Sequence, residues 1–279
     1  MDALVIGGGG ALGRLVCRQL VGRGHHAIAL GRRDGDLRDP SLIARTGAPL
    51  IINCAGASVQ IGLGYGWRGY RAVDVPIGLA AIEAARRTGA RLIYISAHHP
   101  AAMRDTPYIA AHERVAAAMG DVEGAVVRPT GFFSAITSAF LPMAKRGRMF
   151  DVGSGRARTN PISEHDLAEI VVDIALGGDG PRDVAVGGPE VMSRREMLER
   201  VAAAAGCRAK VTGMPLALCK LNAALLRAVH PRMGQFVQFV CQLAQHDVIA
   251  PACGTTKLAD YVAALPLAPP SLTSRSASA

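Results

Sequence analysis

The first apolar run of the chain is followed at once by its most specific chemistry. Gly7-Gly8-Gly9-Gly10-Ala11-Leu12-Gly13 succeeds Ala3-Leu4-Val5-Ile6 and opens a segment with helical periodicity. Gly7, Gly10 and Gly13 give the spacing G-x-x-G-x-x-G. A strand-to-helix turn that binds a dinucleotide needs glycine three times: for the tight turn, for close approach of backbone to pyrophosphate, and for packing helix on sheet. The free N–H groups at the start of the helix then face the phosphates, which places Ala11 and Leu12 in the binding set. A NAD binder would carry Asp or Glu about 20 residues further on, to accept from the ribose 2′-OH. Here that place reads Gly31-Arg32-Arg33. Guanidinium groups suit a 2′-phosphate, so the expected coenzyme is NADP(H) in preference to NAD(H). The opposing reading is a solvated strand end, because Asp34 and Asp36 follow and blunt the positive field.

The elements that must position this loop alternate. Ala3–Ile6, Ala27–Leu30, Pro49–Asn53, Arg91–Ser96 and Ala125–Val127 read as short buried strands, the last stopped by Pro129. Between them, residues 11–21, Pro76–Arg87 and Tyr108–Met119 read as helices, with Gly89 closing the second. Short apolar strands separated by helices imply parallel pairing with right-handed crossovers, hence an α/β, Rossmann-type doubly wound sheet. Further on, Ser163-x-x-Asp166 and Ser193-x-x-Glu196 look like helix N-caps, and Glu164 and His165 fall within the first of these as capping chemistry. A helix from Arg194 ends near Gly206, and Pro215–Val229 and Arg232–Gln245 are apolar and helical. The expected organisation is a nucleotide-binding domain over 1–187, with 131–159 contributing to the substrate cleft. A smaller, mainly helical lobe follows over 188–265, and then a flexible tail over 266–279.

Composition narrows the class. A chain of 279 residues, 50% hydrophobic and 19% charged, is neither disordered nor a coiled coil. The net charge is +9, but only four of the 31 basic residues are Lys and the Arg are scattered without aromatic interleaving. That pattern argues against a nucleic-acid partner and for a small-molecule substrate. Six Cys without CxxC spacing, and no leader before the first strand, point to a reducing, cytoplasmic setting and to no metal site. Thr46 to Trp67 holds 22 uncharged residues, but its five Gly make it a buried strand and a glycine-rich loop, not a transmembrane span. The apolar helices between Met214 and Gln245, with Lys220, Arg227 and Arg232, suit core packing, with a hydrophobic ligand or peripheral membrane contact as alternatives. A monomer or homodimer is expected.

The chain resembles the atypical short-chain dehydrogenase/reductases, of the NmrA-like and divinyl-reductase-like branch. The resemblance rests on Gly7 to Gly13, Gly35-Asp36-Leu37-Arg38-Asp39-Pro40, Asn53-Cys54-Ala55-Gly56 and Arg71-Ala72-Val73-Asp74. It continues through Val127 to Phe133, Arg158 to Ile162 and Gly187-Gly188-Pro189-Glu190, in the family's order over about residues 1–265. It implies that Asp36-Leu37 contacts the adenine, that Cys54-Ala55-Gly56 lies on the adenine ribose, and that Pro129-Thr130-Gly131 sits near the nicotinamide. One helix and one strand usual in the family are trimmed between Arg33 and Gly35. Such enzymes reduce carbonyls with a Ser, a Tyr, and a Lys four residues beyond the Tyr. Ser96 and Tyr108 match this, but His112 stands in the Lys position. An imidazole is mostly neutral at pH 7 and lowers the Tyr pKa less than an ammonium would. Two functions follow from the resemblance: an NADPH-dependent oxidoreductase acting on a small or apolar carbonyl or enone, and a non-catalytic NADP(H)-binding redox sensor or assembly factor. His98-His99 reads either as cleft lining or as a turn, and His25-His26 as structural.

Overall fold

The computed structural model describes residues 1–57, 66–178 and 180–266. Six parallel strands form the central sheet in the order β2-β1-β3-β4-β5-β8. They are β1 (Asp2–Ile6), β2 (His26–Leu30), β3 (Leu50–Asn53), β4 (Arg91–Ile95), β5 (Gly124–Pro129) and β8 (Asp183–Val186). Alternation along β1 sends Leu4 and Ile6 to one face and Ala3 and Val5 to the other, all fully buried. The first face is covered by α2 (Pro40–Ala44), α3 (Tyr70–Thr88) and α4 (Pro107–Ala118), the second by α1 (Ala11–Gly22) and α6 (Glu164–Leu176). Chain order reverses between β1 and β3, and in such sheets the crevice at that reversal, outside the carboxyl ends of the strands, is where ligands bind. β2 is the sheet edge, and the five-residue α2 is the helix that links it to β3.

Two boundaries differ from the sequence reading. α3 starts at Tyr70, six residues before Pro76, which sits inside the helix. Proline suggested a first-turn position, but Tyr70 is fully buried and its backbone N–H donates to Gln235 Oε1 at 3.0 Å, so tertiary anchoring starts the helix earlier. β5 runs through Pro129, whose missing N–H falls at the last strand position.

The rest of the chain builds a lobe beyond the carboxyl edge. α5 (Phe133–Lys145) and β6 (Arg148–Val152) leave the sheet and pack with α7 (Arg194–Ala204) and β10 (Lys210–Met214), β6 and β10 pairing in parallel. A short antiparallel pair, β7 (Arg158–Thr159) and β9 (Met192–Ser193), leads into α7 through a complete Ser193/Glu196 capping box. α8 (Leu216–Val229) and α9 (Pro231–Leu243) form a hairpin crossing closely at Gly234, where a Cβ would lie 2.3 Å from Arg227 Cγ. The last described helix is α10 (Leu258–Ala263). The expected tail from residue 267 onward lies outside the described residues.

Asn160 joins lobe and sheet. It is fully buried, donates to the carbonyls of Gly188 (3.1 Å) and Ala250 (2.8 Å), and accepts from Ala250 N at 3.0 Å. Replacing Asn160 by Ala strands these three backbone groups, so urea unfolding should show a loss of about 2–4 kcal/mol. A loss under about 0.5 kcal/mol would show that the knot is replaceable.

Candidate functional site

The loops after β1, β2, β3, β4 and β5 meet at one edge of the sheet, and each glycine in the first loop has a separate reason. Gly7 has φ +78°, and a Cβ there would lie 2.8 Å from Ala55 N. A Cβ on Gly13 would lie 2.2 Å from Gly7 O, so the helix can sit this close only without a side chain. Gly10 differs. Its φ and ψ of −76° and 175° suit any residue, and its only close neighbour would be Gly7 O at 3.2 Å. Gly9, Gly10 and Ala11 are exposed, no side chain caps α1, and its first turn holds no acid. The result is a bare helix N-terminus over an open cradle, with Leu12 buried behind it.

The β2 turn leaves its positive groups uncommitted. Asp34 bends back to accept from Gly31 N at 2.7 Å, and Asp36 is held by Arg38 Nε and Nη2 at 2.8 and 2.6 Å. The Arg38 guanidinium holds the Asp36 carboxyl down at about 2. Arg32 and Arg33 are exposed and have no hydrogen-bond or ion-pair partner among the described residues. The two acids therefore do not neutralise them by direct pairing. Leu37 is buried in the core beside α2 and α3. Past β3, Cys54 N donates to Ile6 O at 2.9 Å and Ala55 N to Asn53 Oδ1 at 3.0 Å, which sets Cys54-Ala55-Gly56 against the glycine turn. Buried Asp74 accepts from Ala57 N and fixes this loop. Burial pushes its carboxyl up to about 6, against the pull of the Ala57 N–H and Arg232.

Tyr108 and His112 come together as their spacing requires, with ring centroids 4.7 Å apart in an edge-to-face arrangement. Tyr70 and Phe239 pack on the same phenol at 5.0 and 4.7 Å. His112 Nδ1, however, is hydrogen-bonded to Tyr94 Oη at 2.8 Å, and the ring is buried. Burial, with Arg128 adding, depresses its pKa to about 4, so it is neutral at pH 7. Burial, then the Asp74 charge and Tyr70, push the Tyr108 hydroxyl well above its ordinary range. No described group hydrogen-bonds the Tyr108 hydroxyl.

Ser96 belongs to another network. Its Oγ accepts from Arg128 Nη1 at 3.4 Å, and Arg128 also holds Glu113 and, at 2.6 Å, Asp183. His99 Nε2 lies 3.3 Å from Glu113, and His98 Nε2 meets Ile249 O at 2.9 Å, so this pair ties loops together. Pro129-Thr130-Gly131 lies at the β5 end. Thr130 Oγ1 donates to Asn160 O at 2.6 Å, and Gly131 O accepts from Ile162 N at 2.8 Å. Only backbone and the proline ring thus remain to face a ligand here. Among the described residues no group of three or more His, Cys, Asp or Glu is arranged to hold a metal ion.

Glu164 corrects the capping reading. Ser163 caps α6 by accepting from His165 N at 3.1 Å, and Asp166 receives Thr255 N and Thr256 N, both at 2.8 Å. Glu164 instead is buried, accepts from Ser134 N at 3.0 Å and from its hydroxyl, and leaves Oε2 unpartnered. Burial raises its pKa. It lines a cavity of about 440 Å³ with Ala11, Leu15, Thr256 and Tyr261, next to the start of α1. Sequence reasoning missed this because acids in a helix's first turn are common; the apolar Ile162 just before the cap was the available signal.

Residues 3–118 match the NAD dependent epimerase/dehydratase family. A curated maize protein, the chloroplastic divinyl chlorophyllide a 8-vinyl-reductase, is 29% identical over 223 residues, covering 67% of this chain. The chain spans about half of that protein's length, 54%. Among solved structures, human epimerase family protein SDR39U1 with NADPH aligns with TM-score 0.71 at 18% identity, covering 94% of this chain and 98% of that one. UDP-glucose 4-epimerase of Thermus thermophilus, in complex with NAD, aligns with TM-score 0.61 at 20% identity, over 77% and 86% of the two chains. These matches bear out both the Rossmann-type architecture and the resemblance read from the motifs.

His112 gives a pH prediction. Unfolded, the ring titrates near 6.5; folded, near 4. Between these values the unfolded chain binds the proton and the fold does not, so stability falls as pH drops through the window. His112→Gln keeps a partner for Tyr94 and removes the titration. From about pH 7 to about pH 4.5, thermal unfolding of the variant should shift less than that of the wild type. Equal shifts would place the ring outside the buried network.

Proposed function

We propose that this chain is an NAD(P)-binding atypical short-chain dehydrogenase/reductase, and within that group an NADPH-dependent reductase of a small or apolar carbonyl or enone. Its residues fit the coenzyme at the open Gly10 cradle, which a side chain would fill. Gly7, Gly10, Ala11, Leu12 and Gly13 would hold the pyrophosphate. Asp36-Leu37 and Cys54-Ala55-Gly56 would flank the adenosine, and Pro129-Thr130-Gly131 the nicotinamide. When bound, the coenzyme supplies the hydride.

The preference for NADPH is carried by Arg32 and Arg33, uncommitted beside two acids that are both committed elsewhere. Both carboxylates at the β2 end are already engaged, Asp34 by Gly31 N through one oxygen and Asp36 by Arg38. In calorimetry, Arg32→Ala with Arg33→Ala should weaken NADPH by about 10- to 100-fold and leave NADH nearly unchanged. Equal losses for both would remove the 2′-phosphate assignment. In SDR39U1 the bound coenzyme is NADPH, which favours the same reading by analogy.

Tyr108 is the proton donor in this reading. Tyr70, Phe239 and a neutral His112 surround its ring. Without a neighbouring cation the hydroxyl stays protonated at pH 7. It can then give a proton to a strongly basic centre as hydride arrives, the role a reductase needs from it. Ser96 and His112 would act as positioning residues, Ser96 through Arg128 and His112 by holding the phenol edge. With a panel of ketones and enones, Tyr108→Phe should lower kcat by about 10²- to 10⁴-fold with NADPH affinity kept. Full turnover in that variant would remove the proton donor.

The second reading, a non-catalytic NADP(H) sensor or assembly factor, is favoured by the same enclosure: an elevated phenol, and a Ser96 hydroxyl already bound by Arg128. It predicts coenzyme binding without turnover on any substrate.

A further inference from the structure

The phenol of Tyr94 has a single hydrogen-bond partner among the described residues. It projects from β4 toward α4, is 3% exposed, and its Oη lies 2.8 Å from His112 Nδ1. The two rings stand 6.0 Å apart at 34°. Burial, then the charge of Asp74, hold the Tyr94 hydroxyl well above its ordinary range, so it keeps its proton. A buried hydroxyl with one neighbour able to accept must donate to it, since any other orientation strands its proton. Nδ1 is therefore the acceptor. In a neutral imidazole one nitrogen accepts and the other carries the proton, so the proton of His112 sits on Nε2.

The other side of the ring is open. No described group bonds Nε2, and Nε2 is not one of the described buried atoms that lack a partner, so it keeps solvent-facing surface. One turn earlier on α4, the Tyr108 hydroxyl also has no described partner, and the two rings lie 4.7 Å apart. This end of α4 thus carries two neutral donors on neighbouring rings. The charges around them are turned to one another. Glu113 of α4, Arg128 of β5 and His99 of the loop after β4 form one cluster, while Asp74 of α3 bears on both phenols. None of these groups bonds the imidazole. A neutral N–H suits an uncharged ligand oxygen, whereas phosphates and carboxylates are better met by cations.

We infer that Tyr94 is a positioning residue that locks His112 as the Nε2–H tautomer. Nε2–H then donates to an uncharged oxygen of the bound ligand, a ribose hydroxyl of the coenzyme or the carbonyl of the substrate. The donor role rests on the coenzyme reading; the tautomer stands without it.

The full chain carrying isotope-labelled histidine reports both ring nitrogens by proton–nitrogen NMR, with His112 assigned by the signals that vanish in His112→Gln. At neutral pH the free protein should show His112 protonated at Nε2 and hydrogen-bonded but bare at Nδ1. Tyr94→Phe should move the Nδ1 signal to that of an unbonded nitrogen and raise the ring's titration midpoint from about 4. A ring protonated at Nδ1 overturns the lock. A shift of the Nε2 signal with NADPH alone assigns a ribose hydroxyl. A shift that needs NADP⁺ together with a member of the ketone panel assigns the carbonyl. His112→Gln can accept from Tyr94 through Oε1 and donate through Nε2, so it should keep binding of that ligand within about threefold. His112→Leu should lose about tenfold. A signal that moves with neither ligand while calorimetry records NADPH binding, or a leucine variant that binds as the wild type does, overturns the donor role. Absence of NADPH binding removes the coenzyme reading and the donor role together, and the tautomer is then decided by the spectrum of the free protein.

Discussion

The space between the first turn of α1 and the carbonyl of Gly7 is the constraint on which the rest of the site depends. Gly13 lets the helix come so near that a Cβ would lie 2.2 Å from that oxygen. Gly7, at positive φ, lets the turn rest on Ala55. Together they fix the helix start relative to β1 and β3 and aim unpaired backbone N–H groups at open space. The β2 turn and the loops after β3 and β5 are then arranged around that point by backbone hydrogen bonds. A longer side chain at either glycine would move the cradle relative to every other candidate residue.

The region around Tyr108 follows a different economy. Where the family resemblance implies a permanent cation, this chain has an imidazole bonded to Tyr94 and held neutral by burial. The cationic group of the neighbourhood, Arg128, is taken up by Glu113, Asp183 and Ser96. Charge is thus kept in an ion-pair network beside the phenol and is absent from the phenol itself. Burial and that partition keep the phenol protonated, and the binding and catalytic readings rest on the same residues.

Much of this was legible from local pattern. β1, β2, β3 and β4, the glycine turn and the Ser193 capping box each follow from period, turn chemistry or spacing. Less legible were features set by distant contacts. The start of α3 depends on Gln235, far along the chain, and β6 pairs with β10 across 62 residues of sequence between Arg148 and Lys210. Glu164 looked like a capping acid because its partner, Ser134, is 30 residues away. The outer face of α8, where Leu218, Leu221, Leu225 and Val229 are exposed, could not be told from a core face, since periodicity reports that an apolar stripe exists and not what lies against it. At the site, spacing foretold that Tyr108 and His112 would meet. It could not foretell that Tyr94 would claim the imidazole.

The most direct measurement uses Gly10, whose φ and ψ suit any residue and whose Cβ would meet only Gly7 O, at 3.2 Å. Gly10→Leu should fold, with a loss of stability of about 1 kcal/mol at most, while its NADPH affinity in calorimetry falls by about 100-fold or more, because the side chain occupies the place of the pyrophosphate. A folded Gly10→Leu protein that binds NADPH as tightly as the wild type would contradict the account.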